Sequence, residues 1–211
     1  MKMMNAVAAL TLFLAVAADA ASQPPDQAIR QATDQLQANI LQHRPEYQGD
    51  ASKFYKMVDD VVVPHFDTQA IGKGVLGRHW REASEDQHTR FINAFKNSLV
   101  HSYADALLKY ADSVKVNWKP ARPPQGNEGR VEAEIARQQG PPIPLGFKVD
   151  QVGGDWKIYD VEIDGVSLGM TFRSQFNEEI KKNGLDSVIA RLEKGGKPLQ
   201  DESAVKGKGK S

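Results

Sequence analysis

Four stretches between Ser113 and Ile163 (SVKVNW, GRVEAEIAR, IPLGFKVDQV and DWKIYDVEI) alternate apolar and polar residues with a period near two. That period is the mark of β-strands with one face buried and one face wet. The segments between them, PARPPQGNE, QQGPP and GG, carry turn and loop chemistry. Gly153-Gly154 is short enough for a hairpin turn. Links this short join strands only as antiparallel neighbours, because a parallel crossover needs a dozen or more residues. The chain is therefore expected to build a four-stranded antiparallel meander.

Helical patterns flank this sheet. Asp26 to His43 carries Ile29, Ala32, Leu36, Ile40 and Leu41 at helical spacing, with Pro45 as its expected stop. A second helix is predicted from Ala51 to Val63, ending at Pro64. Between Asp67 and Trp80, Gly72, Gly74 and Gly77 allow only short helical pieces. The clearest helix begins after Ser84, which forms a capping-box pattern with Gln87. Phe91, Phe95, Leu99, Tyr103 and Leu107 then recur every four residues, widened by Ile92, Ala106 and Tyr110. Run through Tyr110, this helix spans about 40 Å. Two more helices are predicted, roughly Met170 to Asn183 and Leu185 to Glu193, with Gly184 as the break. Helices, then an antiparallel sheet, then helices describe an α+β domain with helices packed against a curved sheet.

The N-terminus narrows the setting. Lys2 precedes an apolar run from Ala6 to Ala18, and Ala18-Asp19-Ala20 fits the signal peptidase rule. Residues 1–20 read as a removable secretory signal, 21–193 as a single domain, and 194–211 as a disordered tail. No other stretch is long enough to span a bilayer. The 211 residues contain no cysteine, which excludes a lipoprotein anchor and disulfide staples. A domain of about 170 residues needs no staples, since it buries about 70% of its unfolded surface. A formal net charge of zero gives no basis for electrostatic capture of nucleic acid.

Residues 165–169, GVSLG, fit the G-x-S-x-G elbow that presents a nucleophilic serine in α/β-hydrolases. Those enzymes place the catalytic histidine after the serine. Here the five histidines, His43, His65, His79, His88 and His101, all precede Ser167. The parallel sheet and the H-G-G-G segment are missing too. Ser167 is better read as a local hydrogen-bonding residue at a strand-to-helix turn. Asp160, Glu162 and Asp164 share one strand face, and a solvated face explains them better than an acid/base or metal pair. No histidine spacing supports a metal site and no glycine loop suits a phosphate. Neither an enzyme nor a cofactor is expected.

The stretch WKIYDVEIDGVSLGMTFRSQFNEEIKKNGLDSVIARL closely resembles the end of the MlaC family of periplasmic phospholipid-binding proteins, the toluene-tolerance auxiliary component family. The resemblance continues in FYKMVDDVVVPHFD, VLGRHW and RFINAFKNSLVHSYADALLKY, and so covers about Asp26 to Glu193. One departure is GMTFR at residues 169–173, where relatives tend to have a bulkier first residue and Asn-Tyr before the arginine.

The resemblance implies an apolar cavity, enclosed by sheet and helices, that holds the acyl chains of a phospholipid. It implies a monomeric periplasmic carrier moving lipid between an outer-membrane lipoprotein–porin complex and an inner-membrane ABC transporter complex. Such a carrier has a plain physical purpose. Each buried methylene is worth about 0.8 kcal/mol, so a 16-carbon chain resists water by roughly 12 kcal/mol. A carrier or sensor of a fatty acid or isoprenoid is the alternative.

Candidate lining residues are Phe91, Phe95, Leu99 and Tyr103 from the long helix and Val75, Leu76 and Trp80 before it. From the strands come Ile135, Phe147, Val149, Tyr159, Val161 and Ile163, with Val166, Leu168 and Phe172 beyond them. Ordinary core packing explains each one equally, because a period shows which face is inward and not whether a void lies behind it. Arg173 matches the family's arginine and is the candidate for the head group, with a structural salt bridge as the other reading.

Overall fold

A computed structural model of the protein describes residues 23–137 and 139–198. The segment expected to be a secretory signal, residues 1–20, lies outside the described residues, as do residues 199–211 of the expected tail. In residues 194–198 the Gly196 carbonyl accepts from the Ser98 hydroxyl, and the Lys197 carbonyl accepts from Arg191.

The predicted meander is present, with strands β1 (Val116–Trp118), β2 (Glu128–Ile135), β3 (Ile143–Val152) and β4 (Asp155–Ile163) paired antiparallel in chain order. A fifth strand, β5 (Val166–Ser167), closes the edge by pairing with Glu162 and Ile163. Two residues after a glycine turn leave no period to read, which is why it escapes a sequence pattern. The β3–β4 turn needs its glycines, since Gly153 and Gly154 both adopt positive φ, at 62° and 95°.

Strand β4 is not uniform. Val149 pairs with Ile158 and Lys148 with Asp160, leaving Tyr159 as the extra residue of a bulge. A bulge resets which side chains face inward. Trp156 and Ile158 are buried before it, and Val161 joins the same core after it. Tyr159, expected inward with Val161 and Ile163, is only half-buried. Burial and the nearby carboxylates of Glu128, Asp150 and Asp160 push its phenol above the ordinary value. The outer face is polar: Arg130 and Lys148 both reach Glu162, at 2.6 and 2.9 Å, and hold its carboxyl below the usual range.

Among the described residues, six α-helices lie around the sheet. Helix α1 runs Pro25–Gly49, six residues past the end expected at His43, with Pro45 inside. Proline sacrifices one backbone hydrogen bond. In return the extra turn buries Tyr47, which meets the edge of Phe54 at 5.7 Å. Helix α2 (Ala51–Met57) passes into a π-helical turn (Val58–Val62) and a 3-10 turn (Val63–His65) rather than one continuous helix. Helix α3 (Thr68–Leu76) forms despite Gly72 and Gly74, and a 3-10 turn (Gly77–Glu82) follows. Helix α4 (Glu85–Tyr110) carries both hydrogen bonds of the expected capping box. Helices α5 (Leu168–Asn183) and α6 (Leu185–Glu193) break at Gly184, where predicted.

Among the described residues, the buried side chains form three separate clusters, whereas an ordinary domain usually has one contiguous core. One joins α3, α4, α5 and α6 through Phe91, Phe95, Phe172, Phe176 and Ile189. A second joins α1, α2 and the far half of α4 through Ile40, Tyr47, Phe54, Met57, Val58 and Leu108. The third lays Ile29 of α1 on Val131, Val149, Trp156 and Ile158 of the sheet.

Candidate functional site

Where these three clusters meet, the interior is not filled. An apolar cavity of about 170 Å³ lies among the π-helical and 3-10 turns, α3 and α4. Its walls include Val58 of the second cluster, Phe95 of the first, and Phe66, which packs against the third. Val62, Val63, Thr68, Ile71, Gly72, Ile92, Lys96, Leu99 and Val100 complete the lining.

Local structure explains this wall. The π turn bonds Val63 N–H to the carbonyl of Val58, five residues back. Its wider turn brings residues four apart more nearly into line, and Val58 and Val62 both face the void. Phe66 is held from the other side, because the neighbouring Asp67 N–H donates to the Ile158 carbonyl of β4 at 2.9 Å. Gly72 matters for its missing side chain: a Cβ there would sit 2.7 Å from Ile92 Cγ1. Glycine thus lets α3 approach α4 at the cavity floor.

The sheet shows related incompleteness. On the inward row of β3, Val149 is fully buried, but Phe147, Leu145 and Ile143 keep partial exposure. A central strand under a packed helical layer would be buried along its whole inner row. A second apolar recess, about 160 Å³, lies between α1 and the end of α4, lined by Leu36, Ile40, Ala106, Leu107 and Tyr110 among others. The stripe of α4 thus serves three settings in turn: Phe91 in the packed core, Phe95 and Leu99 at the cavity, and Leu107 at the second recess.

The candidate residues separate accordingly. Phe95 and Leu99 line the cavity. Val75, Leu76, Phe91 and Phe172 lie in the packed helical cluster, with Leu168 at its margin. Trp80 also touches that cluster and stacks on His88 at 3.7 Å between ring centroids. Val149, Phe147 and Val161 belong to the sheet cluster, while Ile135 and Ile163 are half-buried at the open end of the sheet. Tyr103 and Val166 are exposed. Arg173 is exposed and lines a different recess with Leu76, Arg78, Met170, Ser174 and Asn177. Phe66, Ile71, Ile92 and the valines of the π turn were not foreseen as a wall. For Phe66 and the valines at 62 and 63 the signal was the apolar run VVVPHF, which Pro64 disguised as the end of a helix.

GVSLG has a structural explanation. Ser167 is the N-cap of α5, accepting from Met170 N–H at 3.0 Å and donating to Asp160 Oδ2 at 2.7 Å. Gly169 N–H donates to the other oxygen of Asp160. The hydroxyl is thus committed to a carboxylate and a helix end. Histidine rings bond elsewhere, His79 with Asn177 and His88 with the Trp80 carbonyl. Ser167→Ala is expected to cost about 1 kcal/mol of stability, read as a lower urea midpoint; an unchanged midpoint would show the cap to be idle. Among the described residues no group of three or more His, Asp or Glu is placed to hold a metal ion.

Comparison with known proteins gives a consistent set. The sequence profile of the MlaC protein family matches residues 30–194. The toluene tolerance protein ttg2D of Pseudomonas putida is 28% identical over 167 residues, covering 79% of this chain and 77% of the relative. The intermembrane phospholipid transport system binding protein MlaC of Haemophilus influenzae is 25% identical over 187 residues, covering 87% of each. Among solved structures, a phospholipid-binding protein from Ralstonia solanacearum, in complex with a phospholipid, superposes with a TM-score of 0.74. It is 26% identical and covers 82% of this chain and 97% of its own.

Proposed function

This chain belongs to the MlaC protein family, and we propose that it is a non-enzymatic phospholipid carrier of the periplasm. The observation that carries the proposal is the unfilled junction of three cores, walled almost entirely by apolar side chains. An apolar void forfeits contacts that a packed interior would make, so a fold that keeps one is poorer in stability than it need be. Acyl chains entering the void restore those contacts, and binding stabilises the folded state by mass action.

Phe95 and Leu99, with Val58, Val62, Phe66, Ile71, Ile92 and Val100, are the proposed tail-binding wall. Val75, Leu76, Phe91 and Phe172 act as the frame that keeps the wall apart. The half-buried inward residues of the sheet, Ile135, Phe147, Val161 and Ile163, extend the apolar surface toward its open end. The carrier works between an outer-membrane lipoprotein–porin complex and an inner-membrane ABC transporter complex. Support comes from the family, from the phospholipid in the Ralstonia structure, and from the fact that no described helix is long and apolar enough to cross a membrane.

The test is to extract and weigh the ligand of the protein purified without detergent. Phospholipid is expected, about one equivalent or more, and it should persist in Ser167→Ala. Recovery of only a fatty acid or an isoprenoid would make the chain a carrier of that ligand instead. An empty protein that takes up no phospholipid from vesicles would refute the proposal.

A further inference from the structure

The cavity wall has one feature that tails alone do not require. Among the described lining residues only Lys96 carries a charge. It follows Phe95 directly on α4 and lies three residues before Leu99, and its ammonium lies 2.6 Å from Asp59 Oδ1 on the π turn. The two side chains are 25% and 48% exposed, which places the pair at the rim. The lysine stem runs along the apolar wall while its head reaches water, as long cationic side chains do at apolar surfaces.

The π turn sets up this geometry. Asp59 and Asp60 are adjacent, yet Asp60 pairs with Lys56 on its own helix while Asp59 reaches across to α4. The Lys96–Asp59 pair therefore spans the two elements that bound the cavity, with Val58 and Val62 beneath one partner and Phe95 and Leu99 beneath the other.

Resting on the carrier reading, we propose that Lys96 is the anion-binding residue for the cargo's phosphodiester, and that Asp59 holds the ammonium at the rim when no lipid is present. A phosphodiester carries one negative charge at the point where the two tails converge. A bound lipid with its tails among Phe95, Leu99 and Val62 brings that charge to the rim, where it competes with the Asp59 carboxylate for the same ammonium. A charge-assisted hydrogen bond to phosphate replaces one to carboxylate, so loading exchanges partners without stranding a charge. Because the site is partly exposed, the contact is screened by salt.

The experiment uses the delipidated full chain and two lipids with identical oleoyl chains, phosphatidylglycerol and diacylglycerol, each presented in the same non-ionic micelles. Lys96→Met keeps the apolar stem and removes the charge. It is expected to weaken phosphatidylglycerol binding about tenfold and to abolish its salt dependence, with diacylglycerol binding unchanged. Lys96→Arg restores binding, and Asp59→Asn strengthens it by removing the competing carboxylate. Equal loss of both lipids in Lys96→Met, or loss of neither, overturns the assignment. A selective loss in Arg173→Gln with Lys96→Met unaffected overturns it in favour of Arg173. If the wild-type protein binds diacylglycerol but not phosphatidylglycerol, the carrier reading itself fails, and this inference with it.

Discussion

Tryptophan at both Val62 and Leu99 is expected to leave a folded protein that no longer retains phospholipid. Both positions line the void, one on the π turn and one on α4. In a filled core such enlargements strain their neighbours and cost about 1–3 kcal/mol each. Here the added rings have space to enter, so thermal stability of the lipid-free protein should hold or rise. Lipid binding should suffer instead. Excluding three methylenes from the cavity removes about 2.4 kcal/mol of burial, which is roughly fiftyfold in affinity. The check is lipid recovered by extraction beside a melting curve, with Leu41→Trp as the control at an exposed site outside the cavity. Normal lipid content in the double variant would place the tails somewhere other than this cavity.

The second large effect is structural. Phe176→Ala should lower the unfolding free energy by about 3–5 kcal/mol, out of a total of about 5–15 for a domain of this kind. Phe176 is 1% exposed at the centre of an aromatic group. Its ring meets the rings of Phe91 and Phe95 edge-on, at 5.4 and 5.5 Å, and lies 6.5 Å from that of Phe172. Those contacts tie α5 to α4, and Phe95 also forms part of the cavity wall. Removing the ring opens a void that the rigid frame cannot close and frees Phe95 to move. Urea unfolding of delipidated protein measures the loss without the stabilising contribution of bound lipid. A loss below about 1 kcal/mol would show that the cluster collapses and is not the frame of the cavity.

Particular residues show how far a sequence pattern reaches. Ser84 with Gln87, Gly153-Gly154 and Gly184 all act where they were expected to, because caps and turns are decided by neighbours a few residues away. Pro45 does not stop α1, since the burial of Tyr47 against Phe54 outweighs one lost backbone bond. Gly72 lies inside α3 where a Cβ would sit 2.7 Å from Ile92 Cγ1 of α4, and no local rule links those two residues.

The sequence by itself determined the antiparallel meander, the start of α4, the break at Gly184 and the lack of a histidine after Ser167. Each depends on residues close together in the chain, or on simple chain order. Only the tertiary structure decided where the bulge at Tyr159 turns β4, which side chains meet, and that three cores leave a cavity between them. The physical reason is that hydrophobic burial is non-directional. A period records which face avoids water, and the same pattern serves a side chain that packs against a neighbour and one that borders a void. Phe91 and Leu99 belong to one stripe, yet one is sealed in the core and the other lines the cavity, because of what α3, α5 and the π turn bring against each.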